Sequence, residues 1–266
     1  MLKAKSAGCM KTPLEYSGRS SSDPEDLAIG RSYELMDLIT HFAKQQSISD
    51  FYVWFKELST LDNDYPNTKE IQENLANALK NSIRMFGERK SFADLLYLLD
   101  EFKKLRARCH PNEIISEYLA EAYSITIFYL RGSWDVEGTA KLLDELRELV
   151  RDSKKNKRIL LFFAKSYSNA INRFCSDRHN FTCDKLLFEL RMIANKYKNE
   201  SEIQIEFAQA LISIVGTFAR EYRHEELNQV LEELRKIAGR FPDNETLQLI
   251  LTRATILSSL TSSKTE

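Results

Sequence analysis

The sequence predicts an all-α protein, an α-solenoid of stacked helix hairpins with eleven helices in about five and a half units of 44 residues. Three observations carry that prediction. The pairs Glu57-Leu58, Glu101-Phe102, Glu145-Leu146, Glu189-Leu190 and Glu233-Leu234 stand 44 residues apart without slippage, and a period between roughly 20 and 50 residues is the mark of a repeat array. A second ladder, Ala76, Ala120, Ala164, Ala208 and Thr252, keeps the same spacing, and two positions later come Ala78, Ala122, Ser166, Ala210 and Ala254. Only 8 Gly and 5 Pro occur in 266 residues, too few turn formers for a many-stranded sandwich or barrel.

Each unit reads as two helices. In the first, helix A, Ile71, Leu75, Ala78 or Leu79, Ile83 and Phe86 recur at three- and four-residue steps and form one apolar stripe. After a short turn around Glu88–Ser91, helix B carries Leu95, Leu98, Leu99, Phe102 and Leu105. It stops near Pro111, and Pro66 and Pro242 mark equivalent stops, because proline cannot continue a helix but can begin the next. In the same register Leu27, Ile39 and Phe42 take the slots of Ile71, Ile83 and Phe86, so a first helix A spans about 24 to 44, with Asp23 as N-cap and Pro24 as first helical residue. A single helical-repeat domain is therefore expected over 23–261. Residues 1–22 and 262–266 lack periodicity and are expected to be flexible.

The segment Asn74-Leu75-Ala76-Asn77-Ala78-Leu79, with small residues where helices cross and a proline closing the unit, resembles the tetratricopeptide repeat over about 240 residues. That resemblance implies a right-handed solenoid whose ligand groove is lined by the A helices. The unit departs from the family in having 44 residues instead of 34, the extra ten lying between the Ala76-type and Leu98-type positions. The small residue in the middle of the family's helix B is also replaced by Trp54, Leu98, Leu142, Leu186 and Val230. HEAT-like repeats have the same length and are the second architecture compatible with the pattern.

Catalytic signatures are missing: there is no P-loop, GxGxxG, HExxH or GxSxG. No enzyme activity and no cofactor are expected. Asp62-Asn63-Asp64 begins like a calcium loop, but Asn67 stands where the turn glycine is needed, so the segment reads as an interhelical turn. With 38 Lys plus Arg against 39 Asp plus Glu, the net charge of −1 argues against nucleic acid and anionic membranes as partners. Ala210–Ala219 is the nearest approach to a membrane span and is too short. Four Cys without a CxxC pair, and a start unlike a secretory signal, give the expectation of a reduced, cytoplasmic protein, in which the sequons at Asn180, Asn199 and Asn244 carry no meaning.

Two clusters are candidate sites. Cys175, His179 and Cys183 fall in one A-to-B turn and His224 lies one position past the slot of His179 in the next unit, a four-ligand set of the kind zinc takes. Without the short C-x₂₋₄-C spacing, the expected reading is buried thiols and surface imidazoles, with no metal. Lys103, Arg147, Arg191 and Arg235 each follow a ladder glutamate by two residues; ion pairing between stacked B helices is expected over a basic ridge for an acidic partner. The run Lys154, Lys155, Lys157 and Arg158 reads as a solvated turn.

The resemblance assigns candidate partner-binding positions on the A helices: Glu73 and Asn77, Glu117 and Glu121, then Arg158, Leu161, Lys165 and Asn169, then Ile205, Gln209 and Ile212, and finally Leu249, Arg253, Ile256 and Leu257. The groove so drawn is acidic in its first half and mixed apolar and basic in its second. Glu73 stands four residues before Asn77, where the family's clamp for a chaperone's terminal carboxylate needs lysine, which argues against that partner. A terminal repeat should turn a polar face outward, yet the last helix is apolar on more than one side. The expected function is a noncatalytic scaffold or adaptor that binds a protein or peptide, with self-association through the last helix as one form. A regulatory sensor of a small ligand or short signalling peptide, and an accessory subunit of a nucleic-acid-processing or metal-dependent enzyme complex, are the alternatives.

Overall fold

The computed structural model describes residues 23–45, 47–130, 136–153, 156–176 and 180–262. The expected flexible ends lie outside the described residues, apart from Ser262, with which the last helix closes. Eleven α-helices and no strand occupy the described residues. Every second helix has 17 residues: α2 Ile48–Asp64, α4 Phe92–Arg108, α6 Val136–Asp152, α8 Asn180–Lys196 and α10 His224–Arg240. They begin at residues 48, 92, 136, 180 and 224, a spacing of 44 throughout. These are the helices expected as B. Alternating with them are α1 Pro24–Gln45, α3 Lys69–Glu88, α5 Glu113–Tyr129, α7 Lys157–Ser176, α9 Ser201–Arg220 and α11 Glu245–Ser262, the expected A set.

Short polar side chains start four of the six A helices, α1, α5, α7 and α11. The backbone N–H of Glu25 donates to Asp23 Oδ1 at 3.0 Å, that of Ile115 to Asn112 Oδ1 at 3.1 Å, that of Arg158 to Asn156 Oδ1 at 3.0 Å and that of Leu247 to Asn244 Oδ1 at 3.1 Å. Each satisfies an N–H with no partner inside its helix. Two A helices end in a left-handed residue that is not glycine, Lys90 at φ 61° and Tyr222 at φ 58°. Beyond them the N–H of Ser91 reaches back to the carbonyl of Phe86, and that of Arg223 to Phe218, both at 3.0 Å. This tight reversal is what allows the next B helix to fold straight back.

The chain divides into two compact units, one ending at Leu119 and the other beginning at Ala120, with the division inside α5. In the first unit α1 packs on α3, and each packs on the B helix that follows it. Ile71, Leu75, Leu79, Ile83 and Phe86 of α3 and Leu95, Leu98, Leu99, Phe102 and Leu105 of α4 are all buried, as their periodicity predicts. Between α1 and α3, Asn74 Nδ2 donates to Ser32 Oγ at 2.8 Å in the buried core. Leu27 departs from its expected slot: it is exposed, because among the described residues no helix precedes α1 to cover it. Asp62 and Asn63, expected in a turn, lie in the last turn of α2, where Arg108 of α4 donates to both, at 2.7 and 2.9 Å.

In the second unit α7 packs on α9 and α9 on α11, with α8 and α10 closing the hairpins. The small-residue ladders lie at these crossings: Ala164, Ser166, Ala208, Ala210 and Ala254 are all buried. Thr252, which continues the ladder of Ala164 and Ala208, is exposed. That side of the helix therefore meets the following A helix, and no described helix follows α11.

Two outcomes test this packing. Ala164→Leu and Ala208→Leu force extra methylenes into close crossings and should each destabilise the protein by about 1–3 kcal/mol in urea unfolding; a neutral result at both would mean the crossings are misassigned. Lys90→Gly and Tyr222→Gly remove the Cβ penalty of the left-handed region and should each raise stability by up to roughly 1 kcal/mol.

Candidate functional site

The acidic positions of the first unit are engaged by their own neighbours. Glu73 ion-pairs with Lys69 Nζ at 3.5 Å and accepts from Asn112 Nδ2 at 3.3 Å. Asn77 Nδ2 contacts the Met36 sulfur at 3.2 Å, and its carbonyl accepts from Asn81 at 3.4 Å. Lys80 holds its ammonium 4.4 Å from the centre of the Tyr118 ring. Glu117, in this unit, and Glu121, in the next, are both half-buried and both have interactions of their own. A partner of this surface would have to displace intramolecular contacts.

The second unit presents its candidates more openly. On α7, Arg158 and Lys165 are exposed, Leu161 is half-buried, and Asn169 donates to the Ser124 carbonyl at 3.4 Å. On α9, Ile205 and Ile212 are half-buried and Gln209 is exposed. On α11, Leu249, Ile256 and Leu257 are 51, 53 and 39% exposed, and Arg253 is exposed among them. Leu247, Ile250 and Ala254 supply the face that α11 buries. The exposed leucines and isoleucine are therefore surplus to the packing of their own helix.

The sequence reading missed Glu206, which occupies the α9 position matched by Phe162 on α7 and Ile250 on α11. Among the described residues no hydrogen bond or ion pair reaches its carboxylate. Burial pushes it above the ordinary glutamate range, against a smaller opposing pull from Lys165. The available signal was register: a carboxylate in a slot that its neighbours fill with apolar side chains.

The B-helix surface behaves as ion pairing predicts. Arg147 of α6 donates to Glu189 of α8 at 2.8 Å, and Arg191 of α8 makes two bonds of 2.9 Å to Glu233 of α10. Arg235, on the last B helix, turns to Glu232 of its own helix at 3.5 Å. Tyr167 OH also donates to Glu189 and is held well above the usual phenol range, by burial first and by that carboxylate second. Beside this ladder, α8 and α10 flank a cleft of about 900 Å³ with Phe188 and Asn228 in its lining. Of the basic run, Lys157 pairs with Glu200 at 2.6 Å and Arg158 is exposed, while Lys154 and Lys155 lie outside the described residues.

The Cys/His set separates. Cys175 and Cys183 come together, both buried, with sulfurs 3.2 Å apart. His224 starts α10 with its ring against Tyr222, and His179 lies outside the described residues. Among the described residues no three His, Cys, Asp or Glu side chains converge as a metal site would require. Cys109 is a free, half-buried thiol pushed up to about 11, chiefly by burial.

Glu206 gives a pH prediction. A carboxyl whose folded pKa is raised contributes stability that is present at low pH and lost as pH rises through the folded value. From the ordinary value of 4.5 upward, the charged side chain thus works against folding. Glu206→Gln should raise the melting temperature at pH 7 and leave it nearly unchanged below pH 4; equal shifts at both pH values would assign the effect to packing. No protein-family model, no curated protein and no solved structure matches this chain.

Proposed function

We propose that this is a noncatalytic, tetratricopeptide-like interaction protein that binds a partner protein or peptide through the A helices of its second unit. The observation that carries the reading is the outer face of α11, where Leu249, Ile256 and Leu257 stay exposed around Arg253. Solitary exposed leucines are ordinary, but an apolar group gathered on one helix face is the usual mark of an interaction surface. Leu161, Ile205 and Ile212 extend the same register positions back onto α7 and α9. Lys165 and Arg158 supply exposed positive charge for acidic groups of a partner. No described helix is long and apolar enough to cross a membrane, and the proposal assumes a cytoplasmic setting.

A regulatory sensor is the second reading, and Glu206 favours it. A short peptide or small cation seated beside α9 would give that carboxylate the close partner that no described residue supplies, Lys165 acting on it only at longer range.

The test is Leu249→Glu together with Ile256→Glu, compared with the unaltered chain by quantitative affinity capture and circular dichroism. The expected outcome is loss of the proteins, or of the second copy, that the unaltered chain retains, at unchanged helicity. Unfolding of the C-terminal helices would show those side chains to be core, and retention of the same proteins would move the interface off α11.

A further inference from the structure

The hairpin of α7 and α8 places two thiols in direct contact. Cys175 is the last residue but one of α7 and Cys183 the fourth of α8, so the helix reversal itself sets their sulfurs 3.2 Å apart. Both are free and both are buried to 3% exposure. A small cavity of about 10 Å³ adjoins them, lined by Asp184, Ile214, Thr217, Phe218 and Arg223. That volume is about one water-sized sphere, far too little for a peptide disulfide.

The two thiols are not equivalent. The Cys175 sulfur is drawn toward the thiolate first by its contact with Cys183, then by Thr217 and by the charge of Arg220, while burial and Asp184 oppose this; the Cys183 S–H is turned to the Ile171 carbonyl at 3.9 Å. Arg220 is fixed there by donating to the Cys175 carbonyl at 3.5 Å. Cys183 is held firmly as the thiol, first by its bond to Cys175 and then by burial. The arrangement pairs an attacking sulfur with a protonated one at contact distance.

We propose that Cys175 and Cys183 are a redox-modification site, converted by hydrogen peroxide into a reversible disulfide with Cys175 attacking and Cys183 resolving. The Cys175 thiolate attacks a peroxide oxygen and the O–O bond breaks. Cys175 becomes a sulfenic acid, and the departing oxygen takes a proton and leaves as water. The Cys183 sulfur then attacks the Cys175 sulfur, forming the S–S bond as the S–O bond breaks. The hydroxide released takes the Cys183 proton and leaves as a second water. Two thiols have been oxidised by two electrons and one peroxide reduced to two waters. The sulfurs need close only from 3.2 Å to about 2.05 Å. A dithiol reductant reverses the reaction by thiol–disulfide exchange. The bond would tie the end of α7, which carries Leu161, Lys165 and Asn169 further up its length, to the start of α8.

The test uses the full, reduced chain and hydrogen peroxide. After the peroxide is removed with catalase, the protein is denatured, alkylated and mapped by mass spectrometry. The expected result is one species in which Cys175 and Cys183 escape alkylation and are joined with loss of two hydrogen atoms, while Cys109 remains alkylated; dithiothreitol should restore both thiols. In Cys183→Ser the reaction should stop at a sulfenic acid on Cys175 that dimedone traps. Recovery of both thiols alkylated, over-oxidation of either one alone, or a disulfide to Cys109 or between chains would overturn the proposal. Trapping at Cys183 in Cys175→Ser would overturn the assignment of roles. Mapping of the unaltered chain decides the main point even where a variant fails to fold.

Discussion

Everything in each unit depends on the A helices coming close to one another at small side chains. A B helix can be covered on one side by its own hairpin partner, but an A helix has to bury two flanks, one against the A helix before it and one against the A helix after it. Alanine and serine at the crossings make this possible. Ala164 and Ser166 on α7, and Ala208 and Ala210 on α9, are all buried. Larger residues one turn away, Phe163, Tyr167, Phe207 and Leu211, then close the space on either side. The same arrangement brings Ala76 and Ala78 of α3 against α1 and its own hairpin in the first unit.

Polar contacts follow from that geometry and do not create it. Once two successive A helices are in register, the next B helix is in register as well, and a glutamate two positions before an arginine finds the arginine of the preceding hairpin. Arg147 with Glu189 and Arg191 with Glu233 are such pairs, both only partly buried. Pairs of this exposure contribute little net stability, because solvent screens them and two long side chains must be held still. Their effect is on alignment: a slip of one residue would bring glutamate to face leucine. The exposed cleft between α8 and α10 lies alongside this ladder, so its rim is already occupied by charges that satisfy one another.

How far the sequence could be read depended on whether a property was local. Helix number, the start at Asp23-Pro24 and the closing of α10 ahead of Pro242 are set by periodicity and by caps, which adjacent residues determine. The left-handed residues Lys90 and Tyr222 could not be read, because no glycine or asparagine stands there; hairpin closure imposes that conformation on unfavourable side chains. Glu206 was legible only through register, in a slot that Phe162 and Ile250 fill with apolar side chains, because a glutamate on a helix is otherwise unremarkable. Cys175 and Cys183 could be assigned to one turn but not to one contact, since the distance between them is fixed by how α7 and α8 pack. Leu27 and Thr252 show the converse error. Each matches a buried residue in the ladder, and each is exposed, because register specifies which way a side chain points and a neighbouring helix is still needed to cover it.

The same logic explains why the proposed interface is placed on α11 and not on α1, although both are outermost among the described helices and both expose apolar side chains. On α1 the exposure is confined to Leu27, in the first turn. On α11, Leu249 repeats the position of Ile205 and Leu161, and Ile256 repeats that of Ile212, so the helix keeps the pattern of one that has another A helix beside it. On α3 and α5 the same positions carry charges, Glu73 and Glu117. The surface on α11 therefore has the spacing of a helix-accepting face, with Leu249 and Ile256 two turns apart and a guanidinium between them. A partner that presents an apolar helical stripe with a carboxylate at its edge would meet Leu249, Ile256 and Leu257 with its stripe and Arg253 with its charge, continuing across the interface the packing by which α9 already receives α11.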